Sequence, residues 1–317
     1  MKKEHTHAND QHAHNHDHAH AHSHDVSGVK GPRLIFVILL NFVITAAEVA
    51  GGIISGSLSL VSDALHNLSD GLAMMISYFA IKISGRPNDV KRTFGYRRAS
   101  IMAALLNASV LIGISAFLFK EAYDKFVNPG TIKGGIMIWV ALIGLAANAL
   151  GVILLQKMSK GDMNIKSAYL HLLADTFSSV AVVLGGILIL TLQIYWVDPL
   201  LTVLISIYIL KESIGILREA VNILMQGAPK GLDVMALVDE LNGVAGVTDI
   251  HHVHVWSMDE KHVNFEAHVN VTDMPVSDTR AVSEAFDRIL TGHGINHVTL
   301  QFECDSCHGA DVIGHRP

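Results

Sequence analysis

The chain has 317 residues, of which 50% are hydrophobic and only 16% charged, with a formal net charge of -6 when histidines are neutral. That balance belongs to membrane proteins rather than soluble enzymes, and the negative charge leaves no electrostatic footprint for nucleic acid. Its two cysteines, Cys304 and Cys307, cannot build a disulfide framework; the Cys-x-x-Cys spacing suits a reduced pair or a metal.

Nine of the 20 histidines precede residue 25, alternating with Ala, Asp, Asn and Ser. Residues 1–32 have no apolar face to bury, so they are expected to form a disordered, cytoplasmic, His-rich tail that holds zinc loosely. No secretory signal precedes Leu34, so the first apolar run is expected to persist as an anchor. Six apolar stretches follow, at Leu34–Ile54, Leu58–Ile83, Ile101–Tyr123, Ile136–Leu155, Ile165–Leu192 and Trp196–Leu217. Each is close to the ~20 residues that cross ~30 Å of hydrocarbon, which predicts six transmembrane helices. The connection after the second stretch carries Arg86, Lys91, Arg92, Arg97 and Arg98, and the one after the fourth Lys157, Lys160 and Lys166; the turns after the first and fifth carry none. By the positive-inside rule both termini are expected in the cytoplasm of a multi-pass cell-membrane protein, the inner membrane if bacterial.

Beyond about Asn222 the texture changes. Leu232–Leu241 reads as a helix, Val244–Trp256 and Val263–Val271 as strands, Val276–Leu290 as a helix and His297–Glu303 as a strand. The order αββαβ predicts a small α+β domain with one sheet face covered. Four regions are expected: the tail, 1–32; a six-span domain, 33–221; a cytoplasmic domain for metal sensing and dimerisation, 222–304; and a Cys/His-containing end, 305–317.

The chemistry concentrates in two segments. His66 and Asp70, and again His171 and Asp175, are four residues apart inside apolar stretches, so each pair shares one helix face. Ionisable groups in hydrocarbon are costly and need partners or a ligand. Counted from Leu58, His66 and Asp70 lie ~12 and ~18 Å deep; counted from Ile165 in the opposite direction, His171 and Asp175 lie ~9 and ~15 Å deep. All four can therefore converge near mid-membrane. Two imidazoles and two carboxylates suit tetrahedral zinc, and the carboxylates neutralise its charge. An unperturbed imidazole titrates near ~6.5, so protons compete for the same groups and metal can exchange for protons. A structural zinc clip, or unrelated polar groups bonded within the bundle, is the plainer alternative. Glu48 and Asp63 are candidates either for lining a water-filled approach to the site or for bonding neighbouring helices. Asn41, Asn107 and Asn148 read as interhelical hydrogen-bonding groups, and Asp198-Pro199 as a helix start.

Several stretches resemble the cation diffusion facilitator family: Ser62-Asp63-Ala64-Leu65-His66 through Asp70-Gly71, Thr93-Phe94-Gly95-Tyr96-Arg97-Arg98, His171 to Asp175, and His251-His252-Val253-His254-Val255-Trp256. The last is similar to the zinc and cobalt-zinc-cadmium-resistance subgroup, and the resemblance covers roughly Leu34 to Cys307. It implies a homodimer of six-span protomers that exports Zn2+, with Cd2+ and Co2+ as further substrates, from the cytoplasm against protons, and a ferredoxin-like C-terminal domain. It further implies a regulatory zinc site at His251, His268 and Glu303. Strand alternation agrees in part, since His268 and Glu303 fall on polar faces while His251 faces away from His252 and His254. In the loop from Arg86 to Arg98, where some members carry another metal site, Asp89 is the sole acidic residue and there is no His, so no metal is expected there.

No catalytic residue and no organic cofactor is expected; Zn2+ enters as cargo and as regulatory ligand. A membrane metallohydrolase would need an open zinc position and a general base, and His-Glu-x-x-His is absent. A membrane-bound sensor without transport would make the paired intramembrane ligands needless.

Overall fold

A computed structural model describes residues 31–84, 86–156, 163–304, 306 and 311–313; the His-rich tail and Cys307 lie outside them. Six long helices come first: α1 (Gly31–Ser55), α2 (Leu58–Ser84), α3 (Arg98–Val127), α4 (Gly134–Gln156), α5 (Met163–Leu192) and α6 (Val197–Leu224). A small α+β unit follows, with α7 (Val234–Asn242), β1 (Val247–Ser257), β2 (Val263–Val271), α8 (Thr279–Gly292) and β3 (His297–Glu303).

The expectation of six transmembrane helices needs correction. Among the described residues only four helical segments are long and apolar enough to cross a membrane: Arg98–Val127, Gly134–Ile153, Leu172–Leu192 and Val197–Leu224. Among the residues of α1 whose side chains are described, the apolar stretch is Phe42–Ser55. In α2 the apolar run is interrupted by Ser59, Ser62, Asp63, His66, Asn67 and Ser69, all of them buried within the protein. A helix that turns its polar groups into the bundle lacks the uniform hydropathy of a lipid-facing span. The architecture is thus a membrane α-helical bundle, with four candidate spans among the described residues, followed by a C-terminal α+β domain.

Helix α3 packs along α6, α4 along α5 and α1 along α2, while α2 and α5 meet only locally. Large apolar side chains such as Phe117, Trp139, Ile153 and Leu204 point out of the bundle and stay exposed, as lipid contact requires. Tyr123, Trp139 and Trp196, also exposed, lie toward one end of their helices, where amphipathic rings favour the headgroup level.

In the C-terminal domain β1 pairs antiparallel with β2, and β2 parallel with β3, giving the order β1-β2-β3. Asp233 caps α7 by accepting from the backbone N–H groups of Met235 and Ala236 at 3.0 and 3.1 Å. Leu237 and Leu241 of α7 and Val282, Phe286 and Leu290 of α8 pack on Phe265, Ala267 and Val269 of the sheet. The alternation of β2 thereby assigns one face to the core and leaves the other, with His268 and Glu266, for polar work. The two parts touch where the Phe94 ring meets His297 edge-on at 5.9 Å and Arg98 at the start of α3 reaches the sulfur of Met258, and where Lys230 donates to Glu219 of α6 at 2.9 Å.

Candidate metal centres

Within the bundle, α2 and α5 approach through polar groups. His66 Nε2 lies 3.2 Å from Asp175 Oδ1, and both residues are buried, 5% and 4% exposed. Tetrahedral ligands at ~2.0–2.1 Å from zinc stand ~3.3 Å apart, so this separation fits two ligands of one ion. One turn away, Asp63 of α2 accepts hydrogen bonds from Ser178 and Ser179 of α5 at 2.8 and 3.1 Å. Asn148 of α4 donates to Ser179 at 3.3 Å, and Asn67 of α2 to Glu48 of α1 at 3.1 Å. Ser69 donates to Asn107 on α3 at 3.3 Å. The Tyr208 ring of α6 meets His66 edge-on at 6.1 Å between centroids. Asp63 and Glu48 thus join helices around the His66–Asp175 contact, and Asn107 and Asn148 do bond across helices. The side chains of Asn41, Asp70 and His171 lie outside the described residues; the backbone at these positions is helical.

A second cluster sits on the polar face of the sheet. Ligand atoms of His251, His268 and Glu303 all lie within 4.8 Å of one another. His251 and His268 are direct partners across β1 and β2, and Glu303 of β3 pairs with Asn270, two residues along from His268. His268 Nδ1 is 2.8 Å and His251 Nε2 3.5 Å from the two oxygens of Glu303. Neither contact has hydrogen-bond geometry, and His251 Nε2, His268 Nδ1 and Glu303 Oε2 are buried without a hydrogen bond among the described residues. Buried polar atoms are seldom left so, and three lone-pair donors facing one point fit a divalent cation. The other His251 nitrogen, Nδ1, meets Asp249 at 3.0 Å. Donation to that carboxylate leaves Nε2 as the lone-pair nitrogen turned to the cluster, the usual outer support of a ligating imidazole.

Strand alternation missed one residue. The β1–β2 ladder passes from His251↔His268 to His254↔Glu266, so two residues of β1 stand opposite one of β2. His252 occupies this bulge with φ +56, a left-handed conformation that only a local irregularity sustains. Its ring lies 4.9 Å from that of His268 and 5.9 Å from that of His254. Alternation had set His252 against His251; the bulge places both beside His268. The single signal available beforehand was a run of three histidines in four residues.

A helical bundle with a buried imidazole–carboxylate contact between two helices, carried above a small α+β unit with a His/Glu cluster, defines a membrane metal-transport protein. Residues 34–225 match the cation efflux transmembrane domain and residues 229–304 the cytoplasmic domain of cation efflux proteins. The chain belongs to the cation diffusion facilitator family of efflux transporters, in its zinc, cobalt and cadmium resistance subgroup; it is a transporter and not an enzyme. It is 33% identical over 290 residues to the cadmium, cobalt and zinc/H(+)-K(+) antiporter of Bacillus subtilis, covering 89% of this chain and 93% of that protein. It is 35% identical over 292 residues to the zinc transporter ZitB of Escherichia coli (89% and 92% covered). With the metal cation efflux system protein CzcD of Cupriavidus metallidurans it shares 36% over 270 residues (85% and 85%).

Proposed function

We propose that the protein exports Zn2+, with Cd2+ and Co2+ as further substrates, in exchange for protons, by alternating access at a buried site made of His66, Asp70, His171 and Asp175. The observation that carries this reading is the buried His66–Asp175 contact, 3.2 Å long and formed between α2 and α5. Asp70 and His171 follow and precede these residues by four positions, so both ligand pairs share their helix faces. Two carboxylates balance the divalent charge, and two imidazoles admit protons in competition with it. Relatives named as zinc transporters and as a zinc/H(+)-K(+) antiporter support both the metal and the counter-ion.

His251, His268 and Glu303 are assigned as a regulatory zinc site, with His252 or a water completing its coordination. The loop charges support cytoplasmic termini, and the match of residues 229–304 to a cytoplasmic domain agrees with them. That domain is also assigned as the contact of a homodimer. The test is zinc flux into proteoliposomes under an imposed pH gradient. Gradient-driven flux is expected in the native protein and none in Asp175→Ala, which deletes a ligand and a compensating charge. Near-normal turnover of that variant overturns the site assignment.

A further inference from the structure

Asp198, at the first turn of α6, is completely buried. Its carboxylate accepts four hydrogen bonds from the start of α2: Ser57 Oγ at 2.6 Å, Leu58 N at 2.7 Å, Ser59 N at 3.1 Å and Ser59 Oγ at 2.6 Å. A helix start is ordinarily capped by its own flanking side chain, and here Ser57 does accept from Leu60 N at 3.2 Å. The remaining amide donors of the first turn are met by a carboxylate from another helix. Lys125, in the last turn of α3, lies 3.9 Å from Asp198 and donates to the carbonyl of Gly56 in the α1–α2 turn. One carboxylate thus ties together the ends of α2, α3 and α6. The negative charge faces the positive end of the α2 dipole, and releasing it would leave a buried charge without donors.

The other end of α2 leads into the 86–97 loop, where Phe94 touches the C-terminal domain at His297, and on to Arg98 at the start of α3, which reaches Met258. His66 follows Ser59 by seven residues, ~10 Å along the helix. It therefore sits between an anchored end and one that adjoins a second domain.

We infer that Asp198 is a positioning residue for transport, the fixed anchor about which α2 swings His66 between its two exposures. It touches neither cargo nor ligand; it confines displacement to the end of α2 that adjoins the C-terminal domain. The inference rests on the reading of His66 as a ligand of the transported ion.

Zn2+ flux in proteoliposomes, measured against Zn2+ concentration, tests it. Asp198→Asn keeps the shape and loses the charge and one acceptor oxygen, and is expected to lower the maximal rate ~10- to 100-fold. Half-saturation should stay within about twofold, because the ligands are untouched. Ser59→Ala removes one bond of the four and should lower the maximal rate by a smaller factor in the same sense, while Ser59→Thr, which keeps the hydroxyl, restores it. A native maximal rate in Asp198→Asn overturns the inference, and so does a loss carried by half-saturation instead. If Asp198→Asn cannot be recovered folded, the Ser59 pair decides by the same criteria. Persistent flux in His66→Ala condemns the transport-site assignment instead; a dead His66→Ala beside a normal Asp198→Asn condemns the anchor alone.

Discussion

The carboxylate of Asp249 gives the sharpest test of the sheet cluster, because it shapes the site without entering it. It meets Nδ1 of the fully buried His251 at 3.0 Å and is itself 49% exposed on its side chain. Loss of such outer support costs metal affinity ~10- to 100-fold, or about 1.4–2.8 kcal/mol. Half-exposure screens the charge, and an amide oxygen can still accept from Nδ1–H. Asp249→Asn should therefore fall near the lower limit, ~10-fold, and Asp249→Ala, which frees the ring to choose either tautomer, nearer the upper. Zinc titration against a fluorescent chelator, with the full-length protein in detergent and Asp175→Ala silencing the bundle site, reads the difference. Native affinity in both variants would refute the assignment of His251 Nε2 as a ligand.

Three further outcomes are expected. His66→Asp exchanges an imidazole for a harder oxygen donor and should relax selectivity toward cadmium or manganese; an unchanged profile in competitive flux assays counts against His66 as the selectivity determinant. A Cβ at Gly144 would overlap the Glu48 carboxylate, whose Cδ would be 3.0 Å away. Because Glu48 is buried and held by Asn67, Gly144→Ala should cost about 1–3 kcal/mol and lower the thermal midpoint in detergent; an unshifted midpoint would show that Glu48 moves freely. In the 86–97 loop, the Tyr96 hydroxyl donates to Asp89 at 3.0 Å and the amides of Lys91 and Arg92 add to it, holding the Asp89 carboxyl below its usual range. A depressed carboxylate stabilises the turn above the ordinary carboxylate pKa and ceases to as pH falls through the lowered value. Tyr96→Phe should move the Asp89 titration, followed by carboxyl NMR, upward; no movement would refute the hydroxyl as the main cause.

What could be read from residue order was whatever local spacing dictates. Four-residue separations set His66 with Asp70 and His171 with Asp175 on single helix faces, and period-two alternation separated Phe265 and Val269 from His268, because these periodicities are properties of the backbone alone. Apolar content marked the six helices, of which four hold candidate spans among the described residues; composition cannot tell a helix facing lipid from one that turns Asp63, His66 and Asn67 into the bundle.

Contacts between segments far apart in the chain were decided by tertiary structure. The His252 bulge depends on how β1 registers against β2, which the run of histidines in β1 does not specify. The Asp198 carboxylate, which read as an ordinary helix start, finds its donors on a helix 140 residues earlier. Burial makes such choices: a charge withdrawn from water takes whatever donors packing brings near, and packing is a property of the whole fold.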